Sequence, residues 1–200
     1  MTLFKFRIRT LVTPAVLALV LSAAPALAQE AVLELDPART QIGFTLGDVL
    51  HTVHGGFKLK RGTVKFNTAT GQASGLVVVD VASGDSGNHT RDHKMHKEVL
   101  ESAQFPESTF TPQQVKGMLS PQGDSQVQVS GIFNLHGAEH PLTLVMQVHL
   151  AGDQLTADTS FTIPYASWGL KNPSTLFLRV NNTVDIAIHG AGRIRASATP

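Results

Sequence analysis

Short stretches in which apolar and polar residues alternate cover most of this 200-residue chain. In QIGFTL, for example, Ile42, Phe44 and Leu46 alternate with polar or small residues, and this period of two is typical of a strand with one buried face. About eight such strands, separated by turn residues and without a helix after each strand, predict an all-β antiparallel barrel or sandwich. The predicted strands are QIGFTL, TVKF, GLVVVDV, STFTPQQV, SQVQVSGIFNL, PLTLVMQVHL, QLTADTSFTI and NTVDIAIHG.

The first 28 residues have the features of a secretory signal peptide. A positive start containing Lys5, Arg7 and Arg9 precedes the apolar run LVTPAVLALVLSAAPALA, which ends in a small-residue cleavage signal. We therefore expect residues 1–28 to direct export to the periplasm, and residues 29–200 to form a single domain. No later stretch approaches the ~20 apolar residues that a membrane-spanning helix needs, so we expect no membrane span.

Composition excludes several classes of function. The chain has no cysteine, which excludes disulfides and thiol chemistry. Without the three basic residues of the signal peptide, 13 basic and 15 acidic residues remain, a net charge of −2. We expect no nucleic-acid partner, because nucleic-acid binding requires a basic patch. About 172 residues are enough to build one domain with a sizeable core.

The stretch HTRDHKMHKEVL, residues 89–100, is the one strong helix candidate. Asn88 or Thr90 can accept from the exposed amides of the first turn as an N-cap. Pro106 ends the predicted helix, which covers about residues 90–104, because proline disfavours helix at the residue before it. The apolar stripe expected to pack on the sheet consists of Met95, Val99 and Ala103.

The same stretch contains three histidines, His89, His93 and His96. Histidine is a common metal ligand, but a zinc site needs three or four protein ligands and the His-Glu-x-x-His pattern is absent. We favour a solvated helix face, so that replacing His93 and His96 leaves stability nearly unchanged, within about ±0.5 kcal/mol. A peripheral metal site on these histidines stays open. The sequence also lacks a Gly-x-Ser-x-Gly nucleophile elbow.

The inward face of the barrel is the other candidate site. A small closed barrel is either solid or holds one small ligand, as lipocalins do. We expect the single tryptophan, Trp168, to lie near one end of the barrel. Seven residues are expected to line the interior, and the apolar channel if one exists: Phe44, Leu46, Phe133, Leu144, Met146 and Phe161, with Trp168 near one end.

A family resemblance runs over nearly the whole chain after the signal peptide, from about Leu33 to Gly192, and four segments, in order, carry it. They are LDPARTQIGFTLGDVLHTVHGGF, GNHTRDHKMHKEVLESAQFPESTF, VSGIFNLHGAEHPLTL and FTIPYASWGLKNPS. Together they resemble the YceI-like family, the exported lipid- or polyisoprenoid-binding proteins. The resemblance implies an extended lipocalin-like barrel with one helix over it, and a long apolar channel for an isoprenoid or similar amphiphilic chain. It implies no catalytic residues and no cofactor.

The second of these segments contains the pair Arg91-Asp92 at the start of the predicted helix. A carboxylate such as Asp92 is stabilised near the positive end of a helix dipole. We expect Arg91 to pair with a strand carboxylate such as Asp80 and so to anchor the helix, with contact to a ligand head group as the alternative.

The leading hypothesis is a periplasmic, non-enzymatic carrier or sequestering protein for a long-chain lipid. One rival is a histidine-dependent metalloenzyme. The other is a solid β-barrel that acts through surface contacts. The sequence leaves open the identity of the lipid, and whether the protein forms a homodimer.

Overall fold

The described part of the chain folds into nine antiparallel strands that form one continuous sheet. The computed structural model describes residues 30–47, 52–175 and 179–197, so the expected signal peptide lies outside the described residues. The strands are β1 (Glu30–Leu35), β2 (Gln41–Gly47), β3 (Thr52–Asn67), β4 (Ala73–Asp85), β5 (Glu107–Lys116), β6 (Gly123–Leu135), β7 (Ala138–Ala151), β8 (Gln154–Ile163) and β9 (Val184–Ser197).

The sheet closes on itself and forms a barrel. Strands β3 to β9 pair in a circuit in which β3 contacts β4, and β4 to β9 then follow in chain order. Strands β1 and β2 both lie between β3 and β9, one after the other, so the nine strands occupy eight positions around the barrel. This arrangement confirms the predicted all-β antiparallel barrel.

A short turn separates β1 from β2, and Thr40 links the turn to the barrel wall. The buried Thr40 hydroxyl donates to the carbonyl of Ala191 at 3.3 Å and accepts from the Ala191 N–H at 3.2 Å. These bonds pair the Ala191 backbone groups, which would be costly to leave unpaired in the interior. The barrel wall therefore stays continuous at the turn between β1 and β2, which together occupy one position between β3 and β9.

The alternation along β7 separates the barrel interior from its exterior. Leu144, Val148 and Leu150 are buried, whereas residues 145, 147 and 149 between them are exposed. Side chains point to opposite faces in turn along a strand, so every second residue of β7 faces inward. This period of two in the sequence made β7 predictable.

The interior has two halves with different packing. In one half, Val127, Val148, Leu150, Leu155 and Ala157 form a buried cluster, which we call the solid core. The other half contains a second apolar cluster that surrounds a cavity and includes Ile42, Phe44, Leu59, Ile163, Tyr165, Leu170 and Ile186. The barrel is therefore filled at one end and open inside at the other.

One helical segment follows β4. It begins as α-helix α1 (His89–Lys94) and continues as a π-helical turn over Met95–Val99. The Asn88 side chain accepts from the Arg91 N–H at 3.0 Å, so Asn88 is the N-cap. No helix in the described residues is both long and apolar enough to span a membrane.

The helical segment ends earlier than the predicted residue 104. Glu101 has a φ of +44°, outside the helical range, and its carbonyl accepts from the N–H groups of Gln104 and Phe105 in a turn that precedes Pro106. Ala103 is therefore exposed, and only Met95 and Val99 of the predicted apolar stripe face the barrel. The chain turns away because Ser102 is buried and bonded to His96, which ties the segment back on itself.

The connection from β8 to β9 has no strand in its described residues, 164–175 and 179–183, which we call the end loop. Tyr165 and Leu170 are buried, and the Tyr165 hydroxyl donates to the Asn181 carbonyl at 2.6 Å. The Asn172 amide donates to the Asn182 side chain at 2.8 Å. These bonds fold the end loop over the open half of the barrel.

Candidate functional site

A cavity of about 590 Å³ occupies the open half of the barrel. This volume lies within the usual range for small-molecule pockets, roughly 300–1,000 Å³. The apolar strand residues that line it are Ile42, Phe44, Leu46, Val53, Phe57, Val79, Val81, Phe133, Leu135, Phe161, Ile163, Val184, Ile186 and Ile188. The helical segment and the end loop add Met95, Val99, Leu100, Tyr165, Leu170, Pro173 and Val180.

Close packing of a phenylalanine pair shapes one wall of the cavity. Phe44 lies opposite Gly55 across β2 and β3, and a Cβ atom at Gly55 would lie only 2.4 Å from the Phe44 ring. The absence of a side chain at Gly55 therefore allows the ring to lie flat against the wall. The rings of Phe44 and Phe57 are 5.4 Å apart and tilted by 42°, a favourable aromatic contact.

The polar lining residues are concentrated in one place. Ser108 lies apart from the others, and its buried hydroxyl donates to the Asn134 carbonyl at 2.8 Å. The remaining polar residues are Ser86, Asn88, Thr90, Arg91 and Lys94, at the start of the helical segment. Three of these five are exposed to solvent although they line the cavity, so they mark its mouth.

The helical segment and the end loop meet across this mouth. Lys94 Nζ donates to the Pro173 carbonyl at 3.5 Å, and Lys171 Nζ contacts Glu98 Oε2 at 2.8 Å. The hydrogen bond from Lys171, together with its positive charge, lowers the pKa of Glu98. The two connections are therefore joined by polar contacts that surround an apolar interior.

Arg91 and Asp92 both bond to Ser86 in the loop before the helix. Arg91 Nε donates to the Ser86 hydroxyl and Arg91 Nη2 to the Ser86 carbonyl, each at 2.7 Å. Asp92 Oδ1 accepts from the Ser86 N–H at 3.0 Å and from the Ser86 hydroxyl. Burial opposes ionisation of Asp92, but the hydrogen bonds from Ser86, together with smaller contributions from Asp85 and the charge of Arg91, lower its pKa overall.

The structure thus gives Arg91 a different anchor from the expected strand carboxylate. Asp80 accepts from the N–H of Ala82 at 3.0 Å within its own strand, and Ser86 takes the place that Asp80 was expected to fill. Loop residues such as Ser86 carry no periodic signal, which is why the sequence pattern did not identify this partner.

Four of the seven residues expected to line a channel do line the cavity: Phe44, Leu46, Phe133 and Phe161. Leu144 and Met146 also lie on the inward face of β7, but they do not border the cavity; Met146 packs against the solid core. Trp168 lies in the end loop outside the lining, where its ring stacks on His140 with centroids 3.8 Å apart and planes 5° apart.

The histidines of the helical segment do not converge. His89 and His93 are exposed, whereas His96 is half-buried. His96 Nε2 donates to the Gly84 carbonyl at 2.8 Å, and His96 Nδ1 lies 3.1 Å from the Ser102 hydroxyl. The expectation that His96 lies on a solvated face is therefore wrong. Across the described residues, no three His, Cys, Asp or Glu side chains are grouped closely enough to hold a metal ion.

Sequence reasoning missed the contribution of the end loop to the lining. Tyr165, Leu170, Pro173 and Val180 all border the cavity. Burial raises the pKa of Tyr165, whose hydroxyl is bonded to the loop backbone. The segment PYASWGL, residues 164–170, is rich in apolar residues for a connection between strands, and this excess was the available signal.

The chain has relatives among known protein families and solved structures. The YceI-like domain matches residues 33–191. No curated protein matches the chain. BcnA from Burkholderia cenocepacia is 19% identical with a TM-score of 0.64, and the match covers 78% of this chain and 98% of that one.

Two further solved structures share the fold. A polyisoprenoid binding domain from Saccharophagus degradans, implicated in plant cell wall breakdown, is 17% identical with a TM-score of 0.61, covering 82% of this chain and 98% of that domain. A YceI protein from Campylobacter jejuni is 13% identical with a TM-score of 0.52, covering 69% and 81% of the two chains. The barrel that these structures share, and the domain match over most of the sequence, show that this chain belongs to the YceI-like family.

Proposed function

We propose that this protein is a non-enzymatic carrier or sequestering protein for an isoprenoid or similar long-chain amphiphile. Residues 1–28 act as a signal peptide for export to the periplasm, and residues 29–200 form the binding domain. The observation that carries the proposal is the apolar cavity of about 590 Å³ between the barrel wall, the helical segment and the end loop. Its tail-binding wall includes Phe44, Leu46, Phe133 and Phe161.

The physical basis is burial of apolar surface. Each methylene group moved from water into an apolar site gains roughly 0.8 kcal/mol, so a chain of ten or more carbons binds without any polar contact. An aqueous cavity lined by so many apolar side chains would itself be unfavourable, because apolar surface is best removed from water. The likeness to the polyisoprenoid binding domain from Saccharophagus degradans supports the same class of ligand.

The composition of the lining favours binding over catalysis. Among the described residues, no histidine, carboxylate or cysteine lines the cavity. General acid–base and nucleophilic catalysis most often use such groups within hydrogen-bond reach of the substrate. Lys94 and Tyr165 also line the cavity, and their polar atoms contact the backbone carbonyls of Pro173 and Asn181. Ser108 and Ser86 do line the cavity, but their hydroxyls are bonded to Asn134 and Asp92.

Mass spectrometry of an organic extract tests the proposal. Protein purified from expression of the full chain should release a long-chain lipid in a ratio near one per protein, and the delipidated protein should take up an added isoprenoid alcohol. A clean extract together with no saturable uptake of any long-chain amphiphile would contradict the carrier function and favour the rival of a barrel that acts through its surface.

A further inference from the structure

The charged residues that border the cavity all have the same sign. Within residues 30–47, 52–175 and 179–197, Arg91 and Lys94 are the only charged lining residues, and both are cations. Both lie at the mouth, one turn apart on α1, with the apolar interior beyond them. No acid borders the cavity in these residues, so an anionic group at the mouth would meet no like charge among the described lining residues.

The ammonium group of Lys94 can donate more hydrogen bonds at the mouth than its protein contacts use. The residue is half-buried, and its ammonium group can donate three hydrogen bonds. The ammonium group donates to the Pro173 carbonyl at 3.5 Å, which is longer than the usual range of about 2.7–3.2 Å. Glu98, one turn further along, forms its salt bridge with Lys171 at 2.8 Å and does not border the cavity, although Lys171 first and the charge of Lys94 to a smaller extent lower the pKa of Glu98. Within the described parts of the chain, Lys94 forms no salt bridge.

The residues around Arg91 fix the direction of its guanidinium group but do not neutralise its positive charge. Its two bonds to Ser86 use two of the five N–H groups of the guanidinium and fix the direction of the group. Asp92 is close enough for its pKa to be lowered by Arg91, but its carboxylate bonds to Ser86 and does not border the cavity. The exposed Thr90 adds a hydroxyl to the same rim.

We infer that the mouth binds an anionic head group, a carboxylate or a phosphate, on the amphiphile whose tail fills the cavity. Lys94 makes the principal contact and Arg91 the second. This inference rests on the proposed function and names the ligand class more narrowly. Hydrogen bonds to a charged acceptor are shorter and stronger than neutral ones, so the mouth distinguishes an acid from an alcohol of the same chain.

The test is a calorimetric titration of delipidated protein, expressed from the full chain, with four C20 isoprenoids that differ only in head group. These are geranylgeraniol, geranylgeranoic acid, geranylgeranyl monophosphate and geranylgeranylamine. The acid or the phosphate should bind about tenfold more tightly than the alcohol, and the amine more weakly than the alcohol, as expected for a partly exposed ionic contact. The comparison of acid with phosphate identifies which anion the mouth prefers.

Two lysine variants locate the contact. Lys94→Met keeps the length of the side chain but removes its charge, and should reduce the preference for the anion to within about twofold. Lys97→Met is the matched control, because Lys97 is exposed on the same helical segment and does not border the cavity. This control should keep the full preference. Higher ionic strength should weaken binding of the anion and leave binding of the alcohol unchanged.

Each outcome has a distinct meaning. Equal affinity for alcohol, acid and phosphate in the wild-type protein would overturn the inference and leave the carrier function standing. An anion preference that survives in Lys94→Met, with the melting temperature of the variant unchanged, would overturn the assignment to Lys94. Failure of all four compounds to bind would contradict the carrier function itself.

Discussion

Two leucines show how the open half of the barrel differs from the filled half. Leu46 and Leu144 are both aliphatic, and both were expected to face a channel. Leu46 borders the cavity, whereas Leu144 is buried with 7% of its surface exposed and does not border it. The same substitution at these two positions therefore separates the effect of filling a cavity from the effect of overpacking a core.

Leu46→Trp should displace the ligand, and the delipidated variant should be about as stable as the delipidated wild type, because the added ring extends into empty volume. Leu144→Trp should lower the free energy of unfolding by about 1–3 kcal/mol, since it adds bulk to a packed interior. Thermal melting and the amount of lipid retained after purification measure both effects. A Leu46→Trp protein that melts as early as Leu144→Trp would argue against an open cavity at Leu46.

The histidines of the helical segment give a second prediction at the scale of residues. His96→Ala should reduce the free energy of unfolding by about 1–3 kcal/mol, because it leaves the Gly84 carbonyl and the Ser102 hydroxyl without their partner. His93→Ala, at an exposed position on the same segment, should change it by less than about 0.5 kcal/mol. Urea denaturation compares the two variants, and equal effects would count against His96 as an anchor.

Among the elements, the strands with regular alternation were predictable from the sequence and the others were not. The strands β7 and β8 follow the period of two closely. In contrast, β3 extends to 16 residues, and its first half contains Gly55-Gly56 and two register shifts that disrupt the alternation. Strand β1 was missed because Ala31, Val32 and Leu33 form an unbroken apolar run.

The candidate site was only partly predictable for a related reason. Strand residues such as Phe44 and Phe161 were expected on the inner face, because their positions follow from alternation. Alternation says which face a residue occupies but not which end of the barrel is filled, so Leu144 and Met146 could not be separated from the cavity residues. The contacts of the end loop depend on tertiary packing of an irregular segment, for which the sequence has no period.

The contact between the helical segment and the end loop should depend on pH. The pKa of Glu98 is lowered from 4.5 by Lys171, so this pair adds stability above pH 4.5 and loses its contribution as pH falls through the lower pKa of the folded state. The wild-type protein should therefore be slightly more stable than Glu98→Gln at pH 7, and the difference should vanish in strong acid. Urea denaturation at several pH values measures this difference.

Glu139→Gln is the control for this effect, because Glu139 is exposed and lies on β7 rather than on the helical segment or the end loop. This variant should show no loss of stability at pH 7 beyond about 0.5 kcal/mol. A Glu98→Gln protein that is as stable as the wild type at pH 7 would mean that the salt bridge contributes nothing to holding the two connections together.

For the whole molecule, the two halves of the barrel have different roles. The solid core supplies the buried apolar contacts that hold a fold without disulfides, since the chain has no cysteine. The other half leaves its apolar lining around a cavity, where a second apolar molecule can take the place of core side chains. In this account the ligand completes the packing of the open half, and ligand binding therefore stabilises the folded protein.

A titration of delipidated protein with isoprenoid alcohols of increasing chain length measures how the open half takes up an apolar chain. We predict saturable binding of one molecule per protein, with affinity rising about fourfold for each buried methylene-sized unit until the cavity is full, then levelling off. The melting temperature should rise with affinity along the series. Binding that does not saturate, or an affinity that is independent of chain length, would contradict the central claim that the barrel holds a long apolar chain in its open half.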